Sequence, residues 1–226
     1  MSIEATSPHL VATAPAKVCA PEQSLPVACL LIMSGGFLDV FTWLSLDGVF
    51  ANSQTGNVVF LGMYAAMGRW HEAANHFPPI AAFLAGAWLA IRIRAPLLCL
   101  AGEIVSLVIA MWLLPHAPSG PLTIMGISFG VALQTASFRR VENWKYLSVT
   151  VTGNMLRGVQ QLTSADPEAA RGAKIMLTIC LMFLVGTAIG GFTTVHLAAN
   201  SLVIPIGLLA CALWLCCRHR YRRYLG

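Results

Sequence analysis

Two carboxylates stand inside otherwise apolar runs of this sequence. Asp39 lies in the first long apolar run and Glu103 in a later one. If lipid surrounds these runs, a carboxylate at the bilayer centre costs roughly 3 kcal/mol and needs a partner or a cavity. For Asp39 we weigh two hypotheses: a proton or cation site, or a brace for backbone amides of the polar segment that follows. For Glu103 we expect an ion pair with Arg92 or Arg94.

A small polar triplet, Thr-Gly-Asn, occurs twice, in SQTGNVVFLG (Ser53–Gly62) and in TVTGNMLRGV (Thr150–Val159). Glycine permits a bend or close backbone approach, and Thr and Asn side chains hydrogen-bond exposed backbone groups. A helix beginning at the triplet would present its positive end to an anion. The alternative is that these groups only satisfy a broken backbone. The candidate solute or ion pathway comprises Asp39, Gln54, Thr55, Gly56, Asn57, Gln134, Thr152, Gly153, Asn154 and Arg157, with Glu103 as a second carboxylate.

The composition indicates which solvent surrounds these residues. Of the 226 residues, 57% are hydrophobic and 10% charged, whereas a soluble domain carries roughly 25% charged residues. So few charges cannot cover a globular surface, and we therefore expect a lipid bilayer around most of the chain. The net charge of +5 comes from short basic clusters between apolar runs, a pattern of membrane flanks rather than of nucleic-acid binding.

Six apolar stretches are long enough to cross a bilayer as helices, which takes about 20 residues. Basic residues near the ends of such helices favour the cytoplasm. If the triplet segments return to the side they left, 13 basic residues lie inside and only Arg69 outside; if they cross, the division is nine against five. We therefore predict six spans with both termini cytoplasmic, over about 26–46, 77–91, 95–114, 121–138, 175–195 and 201–217.

The two halves of the chain repeat one another. FLAGAWLA from Phe83 parallels FLVGTAIG from Phe183, an offset of 100, and the triplets are offset by 97. Each half reads span, triplet segment, span, span. Because three spans are an odd number, the second half must enter the membrane from the opposite side, which makes an inverted repeat typical of transporters. The fold class predicted is therefore all-α and integral to the membrane, with a re-entrant or broken-helix segment in each repeat.

The run GGFLDVFTWLSLDGVFANSQTGNVVFLGMYAAMG, Gly35–Gly68, resembles the YoaK-type family of bacterial inner-membrane proteins, a domain of unknown function. The residues that carry the resemblance are Gly36, Asp39, Phe50 and the first triplet through Gly62. In the second half GVALQTASF, at Gly130–Phe138, and TVTGN are similar as well. Family members often have Gln-Asn where this chain has Gln134-Thr135. The resemblance implies a multi-pass inner-membrane protein and brings no activity or substrate.

These observations predict a disordered cytoplasmic tail over residues 1–24 and a membrane domain over 25–218. That domain consists of repeat 1 at about 25–115 and repeat 2 at about 120–218, and a basic cytoplasmic tail follows at 219–226. We expect a small-solute or ion permease in the bacterial inner membrane, acting as a monomer or a homodimer. A structural or regulatory membrane protein that moves nothing is the alternative.

An enzyme is the weaker hypothesis, and we predict no catalytic residue, metal or cofactor. The sequence contains no HExxH, GxSxG or GxxxxGK[ST] motif, and its histidines (9, 71, 76, 116, 196, 219) fall in predicted tails or loops. Only an acid–base pair of Asp39 with Glu103, if the fold brings them together, would support membrane-embedded catalysis.

Overall fold

The computed structural model describes residues 20–116, 120–148 and 150–225, with side chains through Arg218. Helices dominate these residues, and one two-residue antiparallel hairpin pairs Arg140 with Lys145 and Val141 with Trp144. Short 3-10 turns occupy Pro21–Gln23 and Ala198–Leu202. The helices are α1 Leu25–Ser45, α2 Gln54–Ala66, α3 Trp70–Asn75, α4 Phe77–Ile93, α5 Pro96–His116, α6 Gly120–Ser137, α7 Val151–Leu162, α8 Ala169–Leu197 and α9 Val203–Leu225, and the hairpin strands are β1 Arg140–Val141 and β2 Trp144–Lys145.

Each of the six apolar stretches predicted from the sequence forms a long helix: α1, α4, α5, α6, α8 and α9. Local chemistry sets several of their boundaries. Proline occupies the first turn of α1, where its missing N–H costs nothing. Arg94 adopts a left-handed conformation that ends α4, and Pro96 then begins α5. Within the described residues, four helical segments are long and apolar enough to cross a membrane: Leu25–Ser45, Trp70–Ile93, Pro96–His116 and Ala169–Arg218.

The six long helices connect two ends of the bundle. At one end the Glu142 N–H donates to the Gln23 carbonyl over 2.6 Å, and a cavity of about 390 Å³ lies between Pro96 and Arg139. We call this the basic end. At the opposite end Leu46, Asn75 and Gly120 line one cleft, and Ser45, Pro115 and Ala198 line another. Successive long helices therefore alternate in direction.

The two halves of the chain exchange packing partners. Helix α1 packs most extensively against α8 and also contacts α9, whereas α6 packs against α4 and α5. Small residues make these approaches close: Gly190 of α8 lies against Phe37 of α1, and Gly86 of α4 lies against the Phe129 backbone of α6. Small residues at helix interfaces allow the van der Waals contact that drives association in lipid, where the hydrophobic effect between helices is absent.

Two short helices, α2 and α7, follow non-helical connectors. We define the first connector as residues 46–53, which leave α1 at the opposite end, and the second as residues 138–148, which leave α6 at the basic end. Helices α2 and α7 have 13 and 12 residues, and at 1.5 Å per residue they reach only about 20 Å. Neither matches the roughly 30 Å of a hydrocarbon core.

At the basic end, the structure differs from two sequence-based predictions and contains one element that was not predicted. Residues 1–19 of the predicted tail lie outside the described residues, but Pro21–Gln23 form a 3-10 turn in which Pro21 is buried. The predicted tail 219–226 continues α9 through Leu225, because no Gly or Pro interrupts the helix there. The β1–β2 hairpin was not predicted, because two residues per strand leave no alternating pattern to detect.

Candidate functional site

The Asn of the first triplet ties α2 to the first connector. Asn57 is fully buried, its Oδ1 accepts from the Phe50 N–H over 3.0 Å, and its Nδ2 donates to the Phe50 carbonyl over 2.7 Å and to Gln54 Oε1 over 2.9 Å. Gly56 completes this contact, because a Cβ at that position would approach the Phe50 ring to 2.7 Å. The triplet therefore satisfies connector backbone that would otherwise be buried without partners.

The Asn of the second triplet makes the same reciprocal pair. The Leu147 N–H donates to Asn154 Oδ1 over 3.4 Å, and Asn154 Nδ2 donates to the Leu147 carbonyl over 2.9 Å. In both halves the partner is the residue seven positions earlier. Arg157 Nη1 also reaches Asn154 Oδ1 at 3.4 Å. We call these two reciprocal pairs the Asn braces.

Asp39 binds the point where the first connector becomes α2. Its Oδ1 accepts from the Asn52 N–H over 2.8 Å and from the Ser53 N–H over 3.1 Å, and its Oδ2 accepts from Ser53 Oγ over 2.5 Å. Charge-assisted bonds of this kind are about twice as strong as neutral ones. These contacts are those expected of a brace for backbone amides, one of the two hypotheses for this residue.

In the second half a hydroxyl pair faces the connector. Thr135 Oγ1 lies 3.4 Å from Ser148 Oγ and donates to the Val131 carbonyl over 2.9 Å. Both side chains are buried. The start of α7 thus has no contact with a carboxylate comparable to that of Asp39 among the hydrogen bonds of the described residues.

The two connectors meet on α1 at Gly35. A Cβ on Gly35 would lie 2.9 Å from Asn52 Nδ2 and 3.4 Å from the Ser148 carbonyl oxygen. Asn52 is 1% exposed, and within the described part of the chain neither of its amide atoms has a hydrogen-bond partner. An unpaired buried polar group costs about 1–3 kcal/mol, so it calls for an explanation. We call Gly35, Asp39, Asn52, Ser53, Thr135 and Ser148 the central cluster.

Gln134 lies beside this cluster on α6. Its Nε2 donates to the Leu31 carbonyl of α1 over a long 3.4 Å. Its Oε1 has no partner among the residues that the structure describes, although the side chain is buried. Among the site residues predicted in the second half, Gln134 and Asn154 are thus the two that the fold buries close to α1.

Other candidates from the sequence lie elsewhere. Thr55 and Thr152 are exposed on the outer faces of α2 and α7. The Gln54 amide donates to the Ala51 carbonyl over 2.9 Å. A Cβ on Gly153 would meet only the Thr150 hydroxyl, at 3.3 Å. The structure therefore separates the triplets into buried Asn residues and outward-facing Thr residues.

The expected ion pair of Glu103 is wrong. Glu103 is buried, and its Oε2 has no partner among the described residues, while Arg92 lies over the Trp88 ring at 5.6 Å. Glu103 turns instead toward α6, where a Cβ on Gly130 would lie 3.3 Å from its Cγ. The helical repeat directs this position into the α5–α6 contact and leaves the arginines exposed at the helix end.

Sequence reasoning missed Asn52 and Ser148 as candidates, and it did not predict the burial of His76, which lies in the turn between α3 and α4. His76 is buried; its ring stacks on Phe60 at 5.3 Å and on Tyr64 at 5.7 Å, and its Nδ1 lies 3.3 Å from Asn57 Oδ1. For Asn52 and Ser148, the available signal was their place just before the two triplets, three residues before Thr55 and four before Thr152.

The fold and the central cluster define a helical protein with apolar helices of membrane-spanning length and a buried polar centre. Residues 27–215 match the family described as "Protein of unknown function (DUF1275)", and the chain belongs to that family. The match confirms the resemblance to a family of unknown function seen in the sequence. No curated protein and no solved structure matches the chain.

Proposed function

We propose that this protein is a small-solute or ion permease of the bacterial inner membrane, with six spans arranged as two inverted three-helix repeats. One observation carries the proposal: two connectors from opposite ends of the bundle reach the same point on α1, where the buried Asn52 amide has unused hydrogen-bonding groups. Non-helical backbone at membrane depth is tolerated only inside protein or beside a water-filled path.

The exchange of helix partners supports the inverted repeat. Suppose that helices α1, α2, α4 and α5 of the first half correspond, in that order, to α6, α7, α8 and α9 of the second half. The contact between α1 and α8 then corresponds to the contact between α6 and α4. Likewise, the contact between α1 and α9 corresponds to the contact between α6 and α5. These are the main contacts of α1 and α6. The two Asn braces correspond as well, at an offset of 97 residues. Inverted repeats of transporters place their binding sites between the halves.

Length and exposure support six crossings. The apolar segment Ala169–Arg218 has 50 residues, about 75 Å as one helix, more than twice a hydrocarbon core. It turns back at Ala198–Leu202. Large apolar side chains along the outer surface, such as Leu84 at 65% and Leu184 at 63% exposed, would find a favourable environment in lipid. The clustering of Lys and Arg at the basic end favours cytoplasmic termini.

Flux through proteoliposomes tests the proposal. Purified protein is reconstituted, and entry of K⁺, Na⁺, H⁺, Cl⁻, urea and glycerol is followed for wild type, Asp39→Asn and the matched control Asp47→Asn. Asp47 is exposed and its left-handed φ of 54° suits Asn equally well. We expect flux of at least one solute in wild type, retained in Asp47→Asn and reduced at least tenfold in Asp39→Asn.

No flux of any solute by a correctly folded wild-type protein would overturn transport and favour the alternative. That alternative, a structural membrane protein, draws on the Asn braces, which do nothing beyond holding the connectors. Topology is tested separately by maleimide labelling of cysteines placed at Arg69 and Lys145 in a variant whose native cysteines are replaced by serine. Labelling of Arg69→Cys from the cytoplasm would contradict the re-entrant path of the first segment.

A further inference from the structure

The two short helices, α2 and α7, both begin beside the central cluster. Asn52 and Ser53 immediately precede α2, and Ser148 lies three residues before α7. A helix N-terminus carries the equivalent of about half a positive charge. Two such ends at one buried point repel cations, as the positive ends of half-helices do in membrane pores. Without a compensating negative charge, the two helix N-termini would favour the binding of an anion.

The Asp39 carboxylate offsets the positive charge of these two helix N-termini. It bonds to the start of α2 through both oxygens, and one full negative charge matches two half-charges of opposite sign. On α6, the side chain that faces Ser148 of the second connector is the uncharged Thr135. The described contacts at Gly35 include no Lys, Arg or His side chain. The centre is therefore close to electrically neutral.

The unused groups at the centre are neutral as well. Asn52 offers an amide donor and an acceptor, and Gln134 offers a carbonyl acceptor. The Ser148 carbonyl lies beside Asn52 at Gly35, and Gln134 contacts α1 at Leu31, four residues before Gly35. These groups suit a ligand that both donates and accepts hydrogen bonds. Asp39 is already engaged by three donors, so it positions α2 rather than binding an ion.

Resting on the permease function proposed above, we infer that the central cluster binds a small uncharged solute that donates and accepts hydrogen bonds, of the urea or polyol class. Asn52 is the residue that recognises it. Gly35 allows the Asn52 amide and the second connector to approach α1 at the same level, because a side chain there would lie 2.9 Å from Asn52 Nδ2.

Stopped-flow light scattering on proteoliposomes tests this inference, with urea and glycerol as neutral probes and K⁺ and Cl⁻ as charged ones. Wild type should admit the neutral probes and exclude both ions. Asn52→Leu should reduce neutral flux at least tenfold without lowering thermal stability, because the amide it removes has no partner. Asn200→Leu, at an exposed Asn in the Ala198–Leu202 turn, is the matched control and should leave flux unchanged.

Two further variants test the electrostatic argument. Thr135→Asp adds a second negative charge and should admit K⁺ at least fivefold faster than wild type. Gly35→Ala should displace the Asn52 amide and reduce neutral flux at least threefold. Wild type that conducts K⁺ or Cl⁻ but neither neutral probe would overturn the inference and leave the permease intact. Wild type that passes nothing would overturn both, and unchanged flux in Asn52→Leu would remove Asn52 from the site.

Discussion

The two connectors solve the same backbone problem but differ in the chemistry they bring to the centre. Both are held by a triplet Asn that pairs with the backbone seven residues earlier. The first connector also bonds to the Asp39 carboxylate, whereas Ser148 in the second faces only the Thr135 hydroxyl. Aromatic rings surround the first brace, with Phe50 stacked on Trp43 at 4.8 Å.

Features that both connectors share are those that their backbone requires. The Asn brace is present in both halves because each connector has backbone groups that need a side-chain partner. Among the described contacts, a carboxylate is present only at the first connector. The Asn brace, which both connectors share, is therefore structural. The Asp39 carboxylate, which only the first connector contacts, sets the charge of the central cluster.

The largest effect should come from breaking the braces. Asn57→Ala leaves the part-buried Phe50 N–H and carbonyl unpaired and should lower the free energy of unfolding by about 2–4 kcal/mol. Asn154→Ala, whose bonds are longer, should cost about 1–3 kcal/mol. Denaturation in detergent micelles measures both. Thr55→Ala, in the same triplet but exposed, is the control, and an equal loss in that variant would contradict the brace.

The triplet glycines offer a second comparison. A Cβ at Gly56 would approach the Phe50 ring to 2.7 Å, whereas at Gly153 it would meet only a rotatable Thr150 hydroxyl. Gly56→Ala should therefore destabilise the protein by about 1–3 kcal/mol through overpacking, and Gly153→Ala should change stability by less than about 1 kcal/mol. The melting temperatures of the two variants in the same detergent show which substitution destabilises the protein more. A larger loss of stability for Gly153→Ala would contradict the closer packing at Gly56.

The smallest effect concerns the hairpin in the second connector. Arg171 donates to both oxygens of Glu142 over 2.7 Å, and this pairing lowers the pKa of Glu142 below its ordinary value. A lowered folded-state pKa stabilises the protein above the unfolded-state pKa of about 4.3, and the gain is lost as pH falls through the folded-state pKa.

The pair is partly exposed, so its contribution should be at most about 0.5 kcal/mol. Wild type should exceed Glu142→Gln in stability near neutral pH, and the difference should shrink as pH falls below the unfolded-state pKa of about 4.3. Glu72→Gln is the matching variant in the first half, because it removes the exposed Arg69–Glu72 ion pair that follows α2. A difference between wild type and Glu142→Gln that grows with acidity would contradict the assignment.

Much of the helical framework could be predicted from the chain alone. Apolar length located all six long helices, because backbone hydrogen bonds within one helix need no distant partner. The recurrence of the triplet indicates two matching segments, and Asn57 and Asn154 are among the site residues that the sequence predicts. Boundaries such as the start of α8 at Ala169 were less accurate, since charged residues continue a helix beyond its apolar part.

Spacing along the chain specifies the apolar helices, the two matching triplet segments and the residues that satisfy local backbone. Tertiary packing, in contrast, selects which polar groups meet: Asn52 with Ser148 at Gly35, and Glu103 with α6 rather than with Arg92. Asn52 and Ser148 are 96 positions apart and Glu103 and Gly130 are 27 apart, and helix packing brings each pair together through close approach at a glycine. That selection depends on three-dimensional fit, which no local pattern records.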